Sequence, residues 1–296
     1  MSVIFVHGNV SSGAFFEDLR LPGAKAVDLR GFGAGPRKPV DATRGVRDFV
    51  DDVLAAMSGE PAHLVGWSLG GGVVLQLLRD HPHLVKSLVL INPVSPYGFG
   101  GTTGPEGTLT HADGAGSGAG GANPDFVKAL QAGDRETMRQ VFQFGYVKDP
   151  AVTEERWLDS MLTTEVGDDN YPGDSVPSPN WPGTAPGGRG VLNAIAPVHF
   201  RIDDLHTLDP KPPILWIRGA DDAIVSDASM FDVVHLGAIG AIPGWDGTPA
   251  QPMVTQTRAV LERYGNYREV VLDECGHSPH IERPEEFLRL LNEHLA

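Results

Sequence analysis

Gly66-Trp67-Ser68-Leu69-Gly70 has the form G-x-S-x-G. An apolar run at residues 63–65 precedes it, and a helical period of apolar residues at 69–79 follows it. A strand passing into a helix through small residues predicts a sharp, strained turn that holds the Ser68 hydroxyl above the sheet. The first amides of the helix and the positive end of its dipole then lie near the reacting atom. A serine hydroxyl is a weak nucleophile and needs a base that a third group orients. Among 11 histidines, His277 is placed best. It lies in Cys275-Gly276-His277-Ser278-Pro279, between the last apolar strand and the last helix, where an open parallel sheet assembles its site. Asp221 and Asp222 follow the strand at 214–218 through Gly219-Ala220. Asp222 is the better orienting carboxylate, because Gly219-x-x-Asp222-x-x-Val225 sets it past the turn. Asp221 is then exposed or caps the next segment.

A tetrahedral oxyanion needs donors already in place. The Leu69 amide, directly after the serine, is one. The Asn9 amide in the turn His7-Gly8-Asn9-Val10 is expected to be the other, with His7 itself structural. Trp67, Val94, Phe142, Phe144, Trp157, Phe231 and His280 are candidates for an apolar substrate wall, together with Met230 and Trp245. The plainer role for each is packing a lid onto the core.

These residues need a scaffold. The chain of 296 residues is 41% hydrophobic and 21% charged, enough for a sizeable core. Val3–Val6 and residues 24–29, 63–65, 87–91 and 214–218 are short apolar runs, joined at the end by Tyr267–Leu272. Between them, Val46, Phe49, Val50, Val53, Leu54 and Met57 repeat at helical spacing, with Asp48, Asp51 and Asp52 off the apolar face. Strands alternating with helices predict a mostly parallel sheet with helices on both faces. A closing helix spans about Pro284–Leu295.

After Asn92 the pattern breaks. Residues 98–121 are dominated by Gly, Thr and Ala with almost nothing to bury, which predicts a long flexible loop. Asn123, Asp134 and Thr153 read as N-caps of three helices. A Pro/Gly loop with Trp181 follows. The expected division is a core at 1–92 and 211–296, with a lid inserted at 93–210.

The formal net charge is −15 and the sequence pI about 5.0. A field of that sign disfavours nucleic acid, anionic membrane surfaces and strongly anionic substrates. No apolar run approaches the roughly 20 residues of a membrane span. The opening Met1–Val6 reads as a buried strand and not a signal peptide. The single Cys275 allows no internal disulfide, and metal-ligand spacing is absent. A cytoplasmic location is expected.

Taken together, the His7-Gly8 turn, the Gly66–Gly70 elbow, Gly219-x-x-Asp222 and Gly276-His277-Ser278-Pro279 with Glu282-Arg283-Pro284 resemble the α/β-hydrolase superfamily. The elbow looks like that of small carboxylesterases, and the order Ser, Asp, His is the one stated for this fold. The resemblance covers about 1–92 and 211–296. It implies an α/β-hydrolase fold and a Ser68–Asp222–His277 hydrolase with no metal and no organic cofactor. Dehalogenases and epoxide hydrolases carry aspartate at the elbow, so Ser68 argues against them. Lactonases, haloperoxidase-like perhydrolases and C–C hydrolases keep the serine. A ligand-binding receptor on the same scaffold is the reading from another class. The expected substrate is a small-to-medium, largely apolar carboxylic ester.

One departure from the family has a structural consequence. The two strands that usually precede the His-Gly turn are absent from this sequence, which makes the strand at 24–29 a sheet edge. Such an edge must be covered or paired, so it is expected to be shielded or used in self-association as a homo-oligomer.

Overall fold

Val3–Val6 and most of Val85–Ile91 are apolar at successive positions, not at alternate ones, as strands covered on both faces must be. In the computed structural model, which describes residues 2–296, they sit in the middle of a sheet. Its six strands are β1 (Val3–Val6), β2 (Ala24–Val27), β3 (Ala62–Trp67), β4 (Val85–Ile91), β5 (Ile214–Gly219) and β6 (Tyr267–Leu272). Every neighbouring pair is parallel, in the order β6-β5-β4-β3-β1-β2. The main flanking helices are α1 (Arg47–Met57), α2 (Leu69–Asp80), α3 (Pro124–Ala132), α4 (Arg135–Val141), α5 (Glu155–Met161), α6 (Val233–Ala238), α7 (Met253–Tyr264) and α8 (Pro284–Leu295).

The register brings the chemistry to one end. Val6 pairs with Gly66, Trp67 with Ile91, and Gly219 with Leu272, so the turns carrying Asn9, Ser68, Asp222 and His277 all leave the same rim. The chain runs from β1 to β2 on one side and returns to β3 on the other. That reversal opens a crevice between β1 and β3, where ligands of open parallel sheets bind.

Three sequence expectations change on inspection. Asp48 and Asp52 do not face solvent. Asp48 is 3% exposed, and Asp52 takes Nε and Nη2 of the buried Arg30 at 3.0 and 2.9 Å, with Asp48 at 3.2 Å from Nη1. A buried guanidinium must be paired, and periodicity alone does not show which acidic residue meets it. Thr153 caps no α-helix: its hydroxyl donates to the Pro150 carbonyl, whereas Asn123 and Asp134 cap α3 and α4.

The third change is larger. Residues 98–121 are packed, with Gly98, Thr102, Ala115 and Ser117 buried. Gln251 donates to the Gly98 carbonyl and accepts from the Gly100 amide, while Gln256 donates to Thr102 and the Gly104 carbonyl. Gly107 lies against the Tyr97 ring. Backbone polar groups satisfied by distant glutamines replace the side-chain burial that the composition lacks.

β2 is a sheet edge. Lys25 and Ala26 on it are exposed, and the 3-10 turn Gly13–Leu19 packs beside it through the Gly13 amide to Asp28. Among the described residues no helix is long and apolar enough to cross a membrane.

Candidate active site

Ser68 sits between β3 and α2 at φ 56°, ψ −119°, a conformation that costs a side-chain-bearing residue about 1–3 kcal/mol. The turn is held from three sides. Its amide donates to the Ile91 carbonyl, and its own carbonyl accepts from Gly71 and Val94. The helix behind it begins Leu69-Gly70-Gly71-Gly72, each glycine costing roughly 1 kcal/mol in helix propensity relative to alanine. Close approach explains Gly70, because a Cβ there would run into the Val6 and His7 carbonyls at the end of β1. Gly70→Ala is therefore expected to destabilise the fold by about 3 kcal/mol, the upper end for overpacking, measurable as a lower urea midpoint.

Asp222 and His277 come from the turns after β5 and β6. His277 Nδ1–H donates to Asp222 Oδ2 at 2.8 Å, with both side chains almost fully buried. Asp222 Oδ1 accepts from the Ile224 and Val225 amides at 2.8 and 3.0 Å. The histidine backbone is fixed as well: Trp67 Nε1 and Asn92 Nδ2 donate to its carbonyl at 2.8 and 2.9 Å. Nε2 is then the ring nitrogen left for the cavity, whose lining includes both His277 and Ser68. Asp221, the alternative carboxylate, points elsewhere, to Lys148 Nζ at 3.2 Å.

Leu69 is the first residue of α2, where an amide has no intrahelical acceptor. Asn9 lines the same cavity. Its loop is strained, with Val10 at φ 46°, a genuine outlier for a β-branched residue. His7 supports this loop from below. Its Nδ1–H donates to the Gly8 carbonyl at 2.7 Å, and Nε2 accepts from the Leu29 amide at 3.1 Å. Burial pushes its pKa down to about 4, so the ring is a neutral strut.

A cavity of about 340 Å³ opens above these residues. Of the expected wall, Val94, Phe144 and Phe231 line it, and so does Met230. Trp67, Phe142, Trp157 and His280 do not. They form an aromatic layer behind the wall around Phe15, which stacks on Trp67 at 5.1 Å and lies 5.0 Å from Trp157 and 6.3 Å from Phe142. His280 stacks on Phe16 at 4.8 Å and meets Trp67 edge-on. Burial holds it neutral, with a pKa near 3. Trp245 is 41% exposed and lies off the cavity. Aromatic content marks apolar surroundings, and which side of the wall a ring occupies depends on tertiary packing.

Other lining residues were not singled out from sequence. Tyr146, Val141 and Ile224 are among them, as is Asp232, whose carboxyl accepts from the Val234 and Gln251 amides and is raised in pKa by burial. Gly116 and Ser117 bring the glycine-rich segment to the wall. Asn92 is the clearest omission. A polar residue directly after an apolar strand is its signal in the sequence, and in the structure it takes φ 39°.

Comparison with known proteins shows the family. Residues 3–290 match a family model described as the alpha/beta hydrolase family. The chain is 29% identical over 280 residues to a pimeloyl-acyl-carrier-protein methyl ester esterase of Neisseria meningitidis serogroup A, covering 92% of this chain and 78% of that protein. Among solved structures, an esterase from a Rhodococcus species superposes with a TM-score of 0.61 at 20% identity, covering 99% of this chain and 89% of that one. A bromoperoxidase from Bacillus anthracis also gives 0.61, at 18% identity, with 99% and 91% covered.

Proposed function

The chain belongs to the alpha/beta hydrolase family, and from that membership we propose that it is a serine hydrolase of small-to-medium, largely apolar carboxylic esters. The observation that carries the reading is the buried His277–Asp222 hydrogen bond at the rim of a cavity that Ser68 also lines. In this reading His277 Nε2 takes the Ser68 proton as Oγ attacks the ester carbonyl. The amides of Leu69 and Asn9 receive the developing oxyanion. The imidazolium, steadied by Asp222, returns the proton to the leaving alcohol. Water then enters, is deprotonated by His277 as it attacks the acyl carbonyl, and the acid departs as His277 returns that proton to Ser68 Oγ.

The wall supports the substrate class. Val94, Val141, Phe144, Ile224, Met230 and Phe231 offer apolar contact, and the surplus of 15 negative charges disfavours a carboxylate-bearing acyl tail. The likeness to a methyl ester esterase makes methyl esters of linear acids the natural companions to activated esters in a first panel.

The test is turnover of nitrophenyl esters of increasing acyl length, run beside lactones and an ω-carboxylated acyl ester. Repeated turnover with an optimum at short or medium chains is expected, with the ω-carboxylated ester at least about tenfold poorer in kcat/KM. A fluorophosphonate should add one adduct mass, mapped to Ser68. Stoichiometric binding without turnover would overturn the esterase reading in favour of a receptor.

A further inference from the structure

Residues 146–149, which run on from α4 and the π-turn at Phe142–Tyr146, connect to three of the four turns of the candidate site. The Tyr146 hydroxyl donates to the Asn9 carbonyl at 2.8 Å, with the Val10 carbonyl at 3.3 Å. Its ring lies 5.7 Å from Trp67 and 6.2 Å edge-on from His277. Lys148 Nζ reaches Asp221, next to Asp222, at 3.2 Å.

The third connection is a single buried carboxylate. Glu282 is 7% exposed, and its two oxygens serve two different segments. Oε1 accepts from the Gly276 amide at 2.7 Å, immediately before His277. Oε2 accepts from the Lys148 and Asp149 amides at 2.6 and 3.2 Å. The two segments are in contact there, since a Cβ on Gly276 would meet the Lys148 nitrogen at 2.7 Å and the Val147 carbonyl carbon at 2.9 Å. A buried carboxylate that nearby backbone amides satisfy ties those amides to one another.

We infer that residues 146–149 are a strap through which the lid sets the catalytic geometry, with Tyr146 and Glu282 as its positioning residues. The inference rests on the serine hydrolase reading above. Tyr146 fixes the Asn9–Val10 peptide in a loop that carries a left-handed valine, so the Asn9 amide stays aimed at the oxyanion. Glu282 holds the His277 loop against the strap. Neither side chain takes a proton from the substrate; each acts through a backbone it holds. Because a misplacement of about 1 Å can cost 10²-fold, loosening either contact should lower kcat and leave binding largely intact.

Tyr146→Phe deletes one hydroxyl and keeps the ring. It is expected to lower kcat about tenfold with KM within about twofold. Glu282→Gln keeps an acceptor for one segment and turns an NH2 toward the amides of the other. An expected fall of ten- to a hundredfold in kcat, with a shift of the downfield His277 Nδ1 proton in the NMR spectrum, would separate positioning from simple destabilisation. The double variant should lose less than the product of the single losses, since both loosen one strap.

Fluorophosphonate labelling of the unaltered protein separates the two ideas. If Ser68 is not labelled, the serine hydrolase reading falls and the strap falls with it. If Ser68 is labelled, and Tyr146→Phe retains kcat and labelling rate within twofold, the strap alone is overturned. Should Glu282→Gln fail to fold, Tyr146→Phe decides by itself.

Discussion

Ser68→Ala is expected to lower kcat on nitrophenyl esters by on the order of 10⁶, close to 8 kcal/mol of transition-state stabilisation. The change removes one oxygen and leaves the Cβ, so the strained turn at φ 56° is no worse populated than before. The thermal midpoint should therefore stay within about 2 °C, because no buried volume is lost beyond a hydroxyl. Neither the other serine of the cavity nor the cysteine before His277 is placed to take over. Ser117, the other serine on the cavity wall, donates its hydroxyl to the Gly114 carbonyl at 2.7 Å. Burial raises the pKa of the Cys275 thiol, so it stays protonated and unreactive. What survives should be a background of about 10³–10⁴ over water from the donors and the cavity. Steady-state turnover and the intact mass after phosphonate treatment check both halves. A variant that keeps a tenth of the activity would move the nucleophile elsewhere.

The sequence is informative where one physical constraint acts on one short segment. Val3–Val6 reads as a strand because it is apolar throughout, and β1 has those bounds. The elbow reads as an elbow because glycines flank a serine between a strand and a helix. Asp222 separates from Asp221 by a spacing that sets it past a turn, and in the structure Asp222 meets His277 while Asp221 meets Lys148.

Where a side chain's role depends on a partner far along the chain, the same reasoning does not reach it. Trp67 has the composition of a pocket residue, yet its indole N–H is spent on the His277 carbonyl, 210 positions away. Residues 98–121 carry little to bury in their own composition, and the groups that hold them, Gln251 and Gln256, lie more than 150 positions along the chain, where they meet the Gly100 amide, the Gly98 and Gly104 carbonyls and the Thr102 hydroxyl. Glu282 is visible in Glu282-Arg283-Pro284, but nothing local says that its second oxygen accepts from the Lys148 amide. Short-range pattern thus picks out the candidate residues, and long-range hydrogen bonding decides how they are held.

Asp222→Asn is expected to lower kcat by about 10⁴ with little loss of stability, and hydrogen-bond accounting gives the reason. Asp222 Oδ1 accepts two backbone amides, from Ile224 and Val225. Oδ2 accepts the His277 Nδ1 proton. An asparagine has one acceptor oxygen and one donor NH2. If the oxygen stays on the two amides, the fold is preserved and the NH2 faces His277 Nδ1. The imidazole must then accept at Nδ1 and carry its proton on Nε2, where it cannot take the Ser68 proton. The opposite amide orientation keeps the tautomer but sets a donor against two buried N–H groups, an unmet cost of about 1–3 kcal/mol for each. The first orientation is the cheaper, so the protein should stay folded and lose its base. A thermal midpoint within a few degrees of the unaltered protein, with KM little changed and phosphonate labelling slowed in proportion to kcat, is the expected pattern. Retention of more than a hundredth of kcat would mean that the carboxylate does not set the imidazole, and Asp222 would then be a turn residue only.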